Sequence, residues 1–199
     1  MLKRNYYFLF PYFIFLLTGL GLILFCSKID LHLYINSFHS IYLNYFFRFA
    51  THAGDGLFIA ALVLLLAFFR YRYAFLLACS YLLTSLIAQF LKKVVFPDFA
   101  RPKKFFENIA ELYYVPGVEL HSFNSFPSGH TTTAFALFFC LALMVKQHFL
   151  KLICFITALI VAFSRVYLSQ HFFIDIYFGS IIGVISTLLV YHFIQNSKN

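Results

Sequence analysis

Phe126-Pro127-Ser128-Gly129-His130, running directly into the apolar stretch Thr131 to Val145, is the segment from which the rest of the chain is read. A proline and a glycine bracket a serine, a histidine follows, and the run beyond is long enough to be a membrane helix. Polar groups therefore stand at the mouth of a helix. Helix N-termini carry unpaired N–H groups and partial positive charge, and they bind phosphate where the backbone can come close, as Gly129 permits. A histidine at such a mouth exchanges protons near neutral pH.

Working outward, the whole chain shares the character of that apolar run. Of 199 residues, 62% are hydrophobic and 11% are charged, and the mean hydropathy is +0.85. A soluble fold covers itself with charge, so this composition implies an integral membrane protein and excludes a soluble enzyme. At about 20 apolar residues per helical crossing there is room for six spans and little else. The expected fold is all-α: six transmembrane helices in one bundle, a single membrane-embedded domain over residues 1–199, with an interfacial helix after the first span.

The expected spans are Tyr6 to Phe25, Leu57 to Phe69, Tyr73 to Leu91, Ser128 to Val145, Leu150 to Leu168 and Phe173 to Phe193. Lys3 and Arg4 before the first imitate a signal peptide. No small-residue cleavage pattern follows, so the first span is expected to remain uncleaved. Ser27 to Asp55 is too polar to cross and reads as interfacial. Within Thr51-His52-Ala53-Gly54-Asp55-Gly56, two readings stay open: a shelf closing one end of the bundle, or His52 and Asp55 reaching toward a substrate headgroup. Arg70 and Arg72 mark a tight turn, and Pro97 and Pro102 stop any helix beyond the third span. The long polar stretch Lys92 to Phe126 is the kind of loop that carries function. Cys26, Cys79, Cys140 and Cys154 sit singly in or beside apolar runs and read as packing residues.

Six spans place both termini on one side, with Lys3, Arg4, Arg70, Arg72, Lys146, Lys151 and Lys198 and no acidic residue. Basic residues concentrated in short loops point that side to the cytoplasm. The ends that carry the polar motifs then meet on the outer face.

Three clusters sit there: Lys93 with Arg101-Pro102; Pro127-Ser128-Gly129-His130; and Ser164-Arg165 with His171 and Asp175. His171 and Asp175 are spaced i, i+4, on one face of the helix that opens the sixth span. A carboxylate beside an imidazole fixes its tautomer and leaves the other ring nitrogen free to attack or to accept a proton. Two histidines, several cations, a serine, a glycine at a helix start and one carboxylate make a set for phosphoryl transfer. The excess of positive groups suits a phosphate. No metal-ligand spacing is present, and the cations would stand in for a metal; no cofactor, nucleic-acid partner or obligate protein partner is implied.

On these motifs the sequence resembles the phosphatidic acid phosphatase type 2 superfamily, which includes bacterial lipid phosphatases. The commonest form of the first motif has six residues between lysine and arginine; here Lys93 leaves seven and Lys92 eight, and the expectation falls on Lys93. The resemblance implies that His171 is the nucleophile that forms a phosphohistidine, oriented by Asp175, and that His130 protonates the leaving oxygen. Lys93, Arg101, Ser128, the Gly129 N–H and Arg165 would cradle the phosphate. The substrate class implied is a membrane lipid phosphate: undecaprenyl pyrophosphate, a lipid A phosphate, phosphatidylglycerol phosphate or phosphatidate, handled in a bacterial inner membrane. Two rivals remain at this point, a lipid phosphotransferase with the same motifs and a non-catalytic membrane transporter.

Overall fold

The computed structural model describes residues 3–196, and every regular element among them is helical. Lys198, counted above with the inner basic residues, lies outside them. Helix α1 (Tyr6–Phe25) coincides with the first expected span. The polar segment after it forms two short helices rather than one. Ser27 caps α2 (Lys28–Asn36) by accepting from the Ile29 N–H, and Ser40 caps α3 (Ile41–Ala50) by accepting from Leu43. Each serine supplies its own N-terminus, and that splits the interfacial segment. Helix α3 exposes Tyr42, Tyr45, Phe46 and Phe49 and buries Phe47, as a helix lying along an interface does. A 3₁₀ turn, Thr51–Gly54, leads into α4 (Gly56–Phe90).

Helix α4 is not one rod. Arg70 leaves helical geometry (φ −149°, ψ 61°), and the chain reverses there. A Cβ on Gly56 would stand 2.5 Å from Tyr81 Oη, whereas in a straight helix these residues would be roughly 37 Å apart. The two arms pack antiparallel, with Ile59 against Leu76 and Leu77. The second arm ends in a π-helical turn, Leu91–Val95, closed by the Phe96 N–H donating to Leu91 O at 2.8 Å. The short α5 (Pro102–Phe105) follows, then a long loop, α6 (Gly129–Met144), α7 (His148–Tyr167) and α8 (Phe173–Asn196). Among the described residues, α1, α4 with its π turn, α7 and α8 are long and apolar enough to cross a membrane; α6 is shorter and equally apolar in character.

Helix α6 is the axis of the bundle, buried along most of its length against α4, α7 and α8. Its contact with α8 is backbone to backbone. A Cβ on Gly183 would lie 2.5 Å from Thr132 O, and one on Gly179 would lie 3.1 Å from Ser128 O. Small residues four apart let two membrane helices approach this closely. The start of α8 is thereby fixed on the start of α6, where the Ser128 N–H donates to the Asp175 backbone carbonyl at 3.1 Å.

At the opposite end, Lys151 is fully buried rather than a solvated loop cation. Its ammonium donates to Asn5 Oδ1 at 2.7 Å and to Ala142 O at 2.6 Å, tying the starts of α1 and α7 to the end of α6. A buried charge is tolerated where such donors are met.

Candidate active site

Four elements bring the three motifs to one end of the bundle. The cap of α6 supplies Ser128, Gly129 and His130. The last turn of α7 supplies Arg165. The turn between α7 and α8 supplies Gln170 and His171, and the first turn of α8 supplies Asp175. The loop before α5 adds Arg101. Ser169, in the α7–α8 turn, has φ +51°, a left-handed conformation that non-glycine residues rarely hold. His32 Nε2 and Asn36 Nδ2, both on α2, lie 3.2 Å from its hydroxyl and hold it there. The interfacial helix thus fixes the turn that presents His171. Asn124, beside Arg101, is the second such residue (φ +59°), and its carbonyl accepts from Arg101 Nη2 at 3.5 Å. Backbone outliers held by their surroundings cluster at functional sites.

His171 and Asp175 are both buried. His171 Nδ1 donates to Asp175 Oδ2 at 3.3 Å, and the same oxygen accepts from Ser125 Oγ at 2.5 Å and from the Phe172 N–H at 2.9 Å. The carboxylate is therefore fixed, and it fixes the tautomer that leaves His171 Nε2 unprotonated. Burial, followed by the charges of Arg101, Lys92 and Arg165, holds the His171 imidazole well below its ordinary pKa. Both influences favour the neutral imidazole over the imidazolium.

The cations are arranged around it. Arg101 and Arg165 are buried, and both reach Gln170 Oε1, at 3.3 and 3.4 Å, so one glutamine side chain spaces two guanidinium groups. Gln170 Nε2 is anchored on Glu119 O at 2.7 Å. Arg165 Nη1 donates to Thr51 Oγ1 at 2.6 Å, while its Nε is a buried donor with no protein partner. A buried unpaired donor costs stability, and an oxyanion in contact with it removes that cost.

Lys92, not Lys93, faces this cluster. Lys92 is buried, and its Nζ lies 3.9 Å from the Cβ position of Gly129, within electrostatic range of Arg101, Arg165 and Asp175; Lys93 is exposed. The reason is the π turn. Its i→i+5 bond widens the backbone around the two lysines, so the motif spacing that favoured Lys93 does not hold, and the inward Lys92 leaves eight residues before Arg101. Both lysines line an open cavity of about 470 Å³ together with Arg101 and His121.

Ser128 caps α6. Its Oγ accepts from the Thr131 N–H at 3.4 Å and from Thr131 Oγ1 at 2.9 Å, which leaves its own hydroxyl proton to give. His130 is half-buried, and its Nε2 lies 2.5 Å from Asp55 Oδ1. The other Asp55 oxygen accepts from His52 Nδ1 at 2.7 Å. Asp55 thus belongs to this site, and His52 holds it from the exposed side. Hydrogen bonding from His130, then from His52, lowers the Asp55 pKa to about 2. Of the two readings open for His52 and Asp55, the contacts with His130 favour the one that places them at the site, whereas Thr51, Ser125 and Gln170 were not singled out from sequence. Among the described residues no group of histidine, cysteine and acidic side chains is arranged to hold a metal.

Residues 72–199 match the model of the PAP2 superfamily. Curated proteins give no match. Among solved structures, Aquifex aeolicus LpxE is similar at a TM-score of 0.72 and 26% identity, over 82% of this chain and 94% of that one. The first transmembrane PAP2 type phosphatidylglycerolphosphate phosphatase from Bacillus subtilis is similar at a TM-score of 0.69 and 25% identity, over 98% of each chain.

Proposed function

The chain belongs to the PAP2 superfamily, and from that premise we propose that it is a multi-pass membrane lipid phosphatase that works through a phosphohistidine at His171. The observation that carries the reading is the convergence of Lys92, Arg101 and Arg165 around a buried, carboxylate-oriented His171, with Arg165 Nε left as an open buried donor. Similarity to a phosphatidylglycerolphosphate phosphatase supports a lipid phosphate as substrate.

In the first step His171 Nε2 attacks phosphorus, the bond to the lipid oxygen breaks, and His130 gives that oxygen a proton. Asp55 holds the His130 ring in place for the transfer. Charge on the pentavalent transition state is met by Lys92, Arg101, Arg165, the Ser128 hydroxyl and the Gly129 N–H, all preset by the fold. In the second step water attacks the phosphohistidine, His130 takes its proton, and the N–P bond breaks to release inorganic phosphate. Asp175 keeps Nδ1 bonded throughout, so the developing imidazolium is stabilised.

The charge distribution supports termini in the cytoplasm of a bacterial inner membrane and a site facing outward, where a lipid phosphate reaches Lys92 and Arg101 with its tails in the bilayer. The test is phosphate release in detergent over phosphatidylglycerol phosphate, phosphatidate, undecaprenyl pyrophosphate and lipid A, beside the His171→Ala variant. Release from at least one lipid, sensitive to vanadate and absent in the variant, is the expected result. Undiminished turnover in His171→Ala, or label passing from donor to a second lipid instead of to phosphate, would replace this reading.

A further inference from the structure

At the bundle end away from the histidines, two cavities share a wall. One, of about 520 Å³, is lined by Arg4, Arg70, Arg72, Tyr73, Tyr191 and Gln195. The other, of about 1030 Å³, is an apolar groove between the second arm of α4 and α8, formed by Phe75, Cys79, Leu83, Leu189 and Phe193. Tyr71 and Arg72 line both, so the cationic chamber opens into the groove. Arg4 Nη2 reaches Leu143 O and Tyr191 Oη, each at 3.5 Å, and Leu143 is roughly 20 Å along α6 from His130 at 1.5 Å per residue. This place is separate from the phosphatase site.

Among the described residues no acidic side chain lines the chamber. None of the ion pairs among the described residues involves Arg4, Arg70 or Arg72, and every acidic residue of the chain lies in segments assigned to the other end. Arg72 leans on its neighbour, with Nε donating to Tyr71 Oη at 3.0 Å, so its charge is placed but not neutralised. Arg70 stands at the chain reversal itself. Guanidinium groups gathered on one chamber repel one another, and an anion between them removes that repulsion while using their paired donors. An apolar groove at membrane depth accommodates hydrocarbon.

We infer that chamber and groove together bind one anionic glycerophospholipid, with its phosphate among Arg4, Arg70 and Arg72 and an acyl chain along the groove. Basic pockets between membrane helices recognise anionic headgroups in this way. Basic residues also orient a membrane protein, but orientation requires no apolar groove continuous with the cations.

The experiment uses the full chain in nonionic detergent, with vanadate present to occupy the phosphatase site. It is titrated with phosphatidylglycerol, with phosphatidylcholine of the same acyl chains, or with inorganic phosphate, and read by native mass spectrometry and thermal unfolding. Phosphatidylglycerol is expected to be retained and to raise the unfolding midpoint, while the other two do neither. R70Q/R72Q should weaken phosphatidylglycerol at least tenfold and leave turnover of a soluble phosphate ester in lipid-free detergent unchanged. C79W fills the groove with the arginines intact and should weaken the lipid as well; it decides the matter if the double variant does not fold. Equal retention of phosphatidylcholine, binding of inorganic phosphate as tight as the lipid, or undiminished lipid binding in the variants would overturn the inference. Because turnover is read separately, this outcome is independent of the proposed phosphatase activity.

Discussion

Asp55 Oδ1 stands 2.5 Å from Nε2 of His130, a contact made between the start of α4 and the start of α6. The site therefore holds two imidazole–carboxylate pairs, His171 with Asp175 and His130 with Asp55. In the proposed mechanism the first orients the nucleophile and the second the proton donor. General acid catalysis contributes about 10²- to 10⁴-fold, and an unheld histidine forfeits part of it. Asp55→Asn should lower kcat about 10- to 100-fold with KM little changed. With p-nitrophenyl phosphate, whose leaving group needs little protonation, the loss should shrink, as it should for His130→Ala. A uniform loss across leaving groups would assign Asp55 a merely structural role.

Lys92 and Lys93 separate a side chain in the site from one at its rim. Lys92→Ala should reduce kcat/KM about 100-fold or more, the scale of one lost transition-state donor, because no other ammonium takes its place beside Gly129. Lys93→Ala should stay within about threefold, consistent with the small effect of an exposed charge. Steady-state kinetics on one lipid substrate decide this, and the reverse order would show that the π turn does not select the lysine.

The pH profile follows from burial and charge. A histidine whose folded pKa is lowered is neutral above that value, so the acidic limb of kcat/KM attributable to His171 should lie below pH 6.5, the ordinary histidine value. Lys92→Met removes one of the positive charges that disfavour the imidazolium, so its limb should move to higher pH even though its activity is low. Asp55 should contribute no limb at all, since its carboxylate is lost only as pH falls through about 2. Profiles of the two proteins between pH 4 and 9 test all three statements.

Much of this was legible in the sequence because hydropathy and punctuation are local. The α1 boundaries, the reversal at Arg70 and the placing of Ser128, His130, Arg165, His171 and Asp175 near helix ends follow from apolar run lengths and from glycine, proline and arginine breaks. What was not legible depends on packing. The inward lysine is chosen by a π turn that no apolar spacing reveals. Asp55 meets His130 because Gly54 lies so close to α6 that its carbonyl accepts from Thr133 Oγ1 at 2.6 Å. Ser125 and Gln170 act by holding other side chains, and that role has no compositional signature. Lys151 reads as a loop cation until Asn5 and Ala142 are seen around it.

The contact between α6 and α8 links stability to chemistry, and two glycines test it. A Cβ at Gly183 would stand 2.5 Å from Thr132 O, 2.9 Å from Phe135 Cβ and 3.0 Å from Ala136 N; two of these are backbone atoms of a buried helix and cannot turn aside. Gly183→Ala should therefore push α8 outward, at the roughly 1–3 kcal/mol typical of an overpacked core. The thermal midpoint in detergent should fall by several degrees. Because the Ser128 N–H to Asp175 O bond spans the same interface, kcat should fall with it. Gly21→Ala is the control: nothing lies within 4 Å of its Cβ position in α1, and alanine favours the helix by roughly 0.5–1 kcal/mol. It should leave kcat unchanged and the midpoint equal or higher. If Gly183→Ala behaved like Gly21→Ala, the close approach of α8 to α6 would not be what holds Asp175 against the cap of α6.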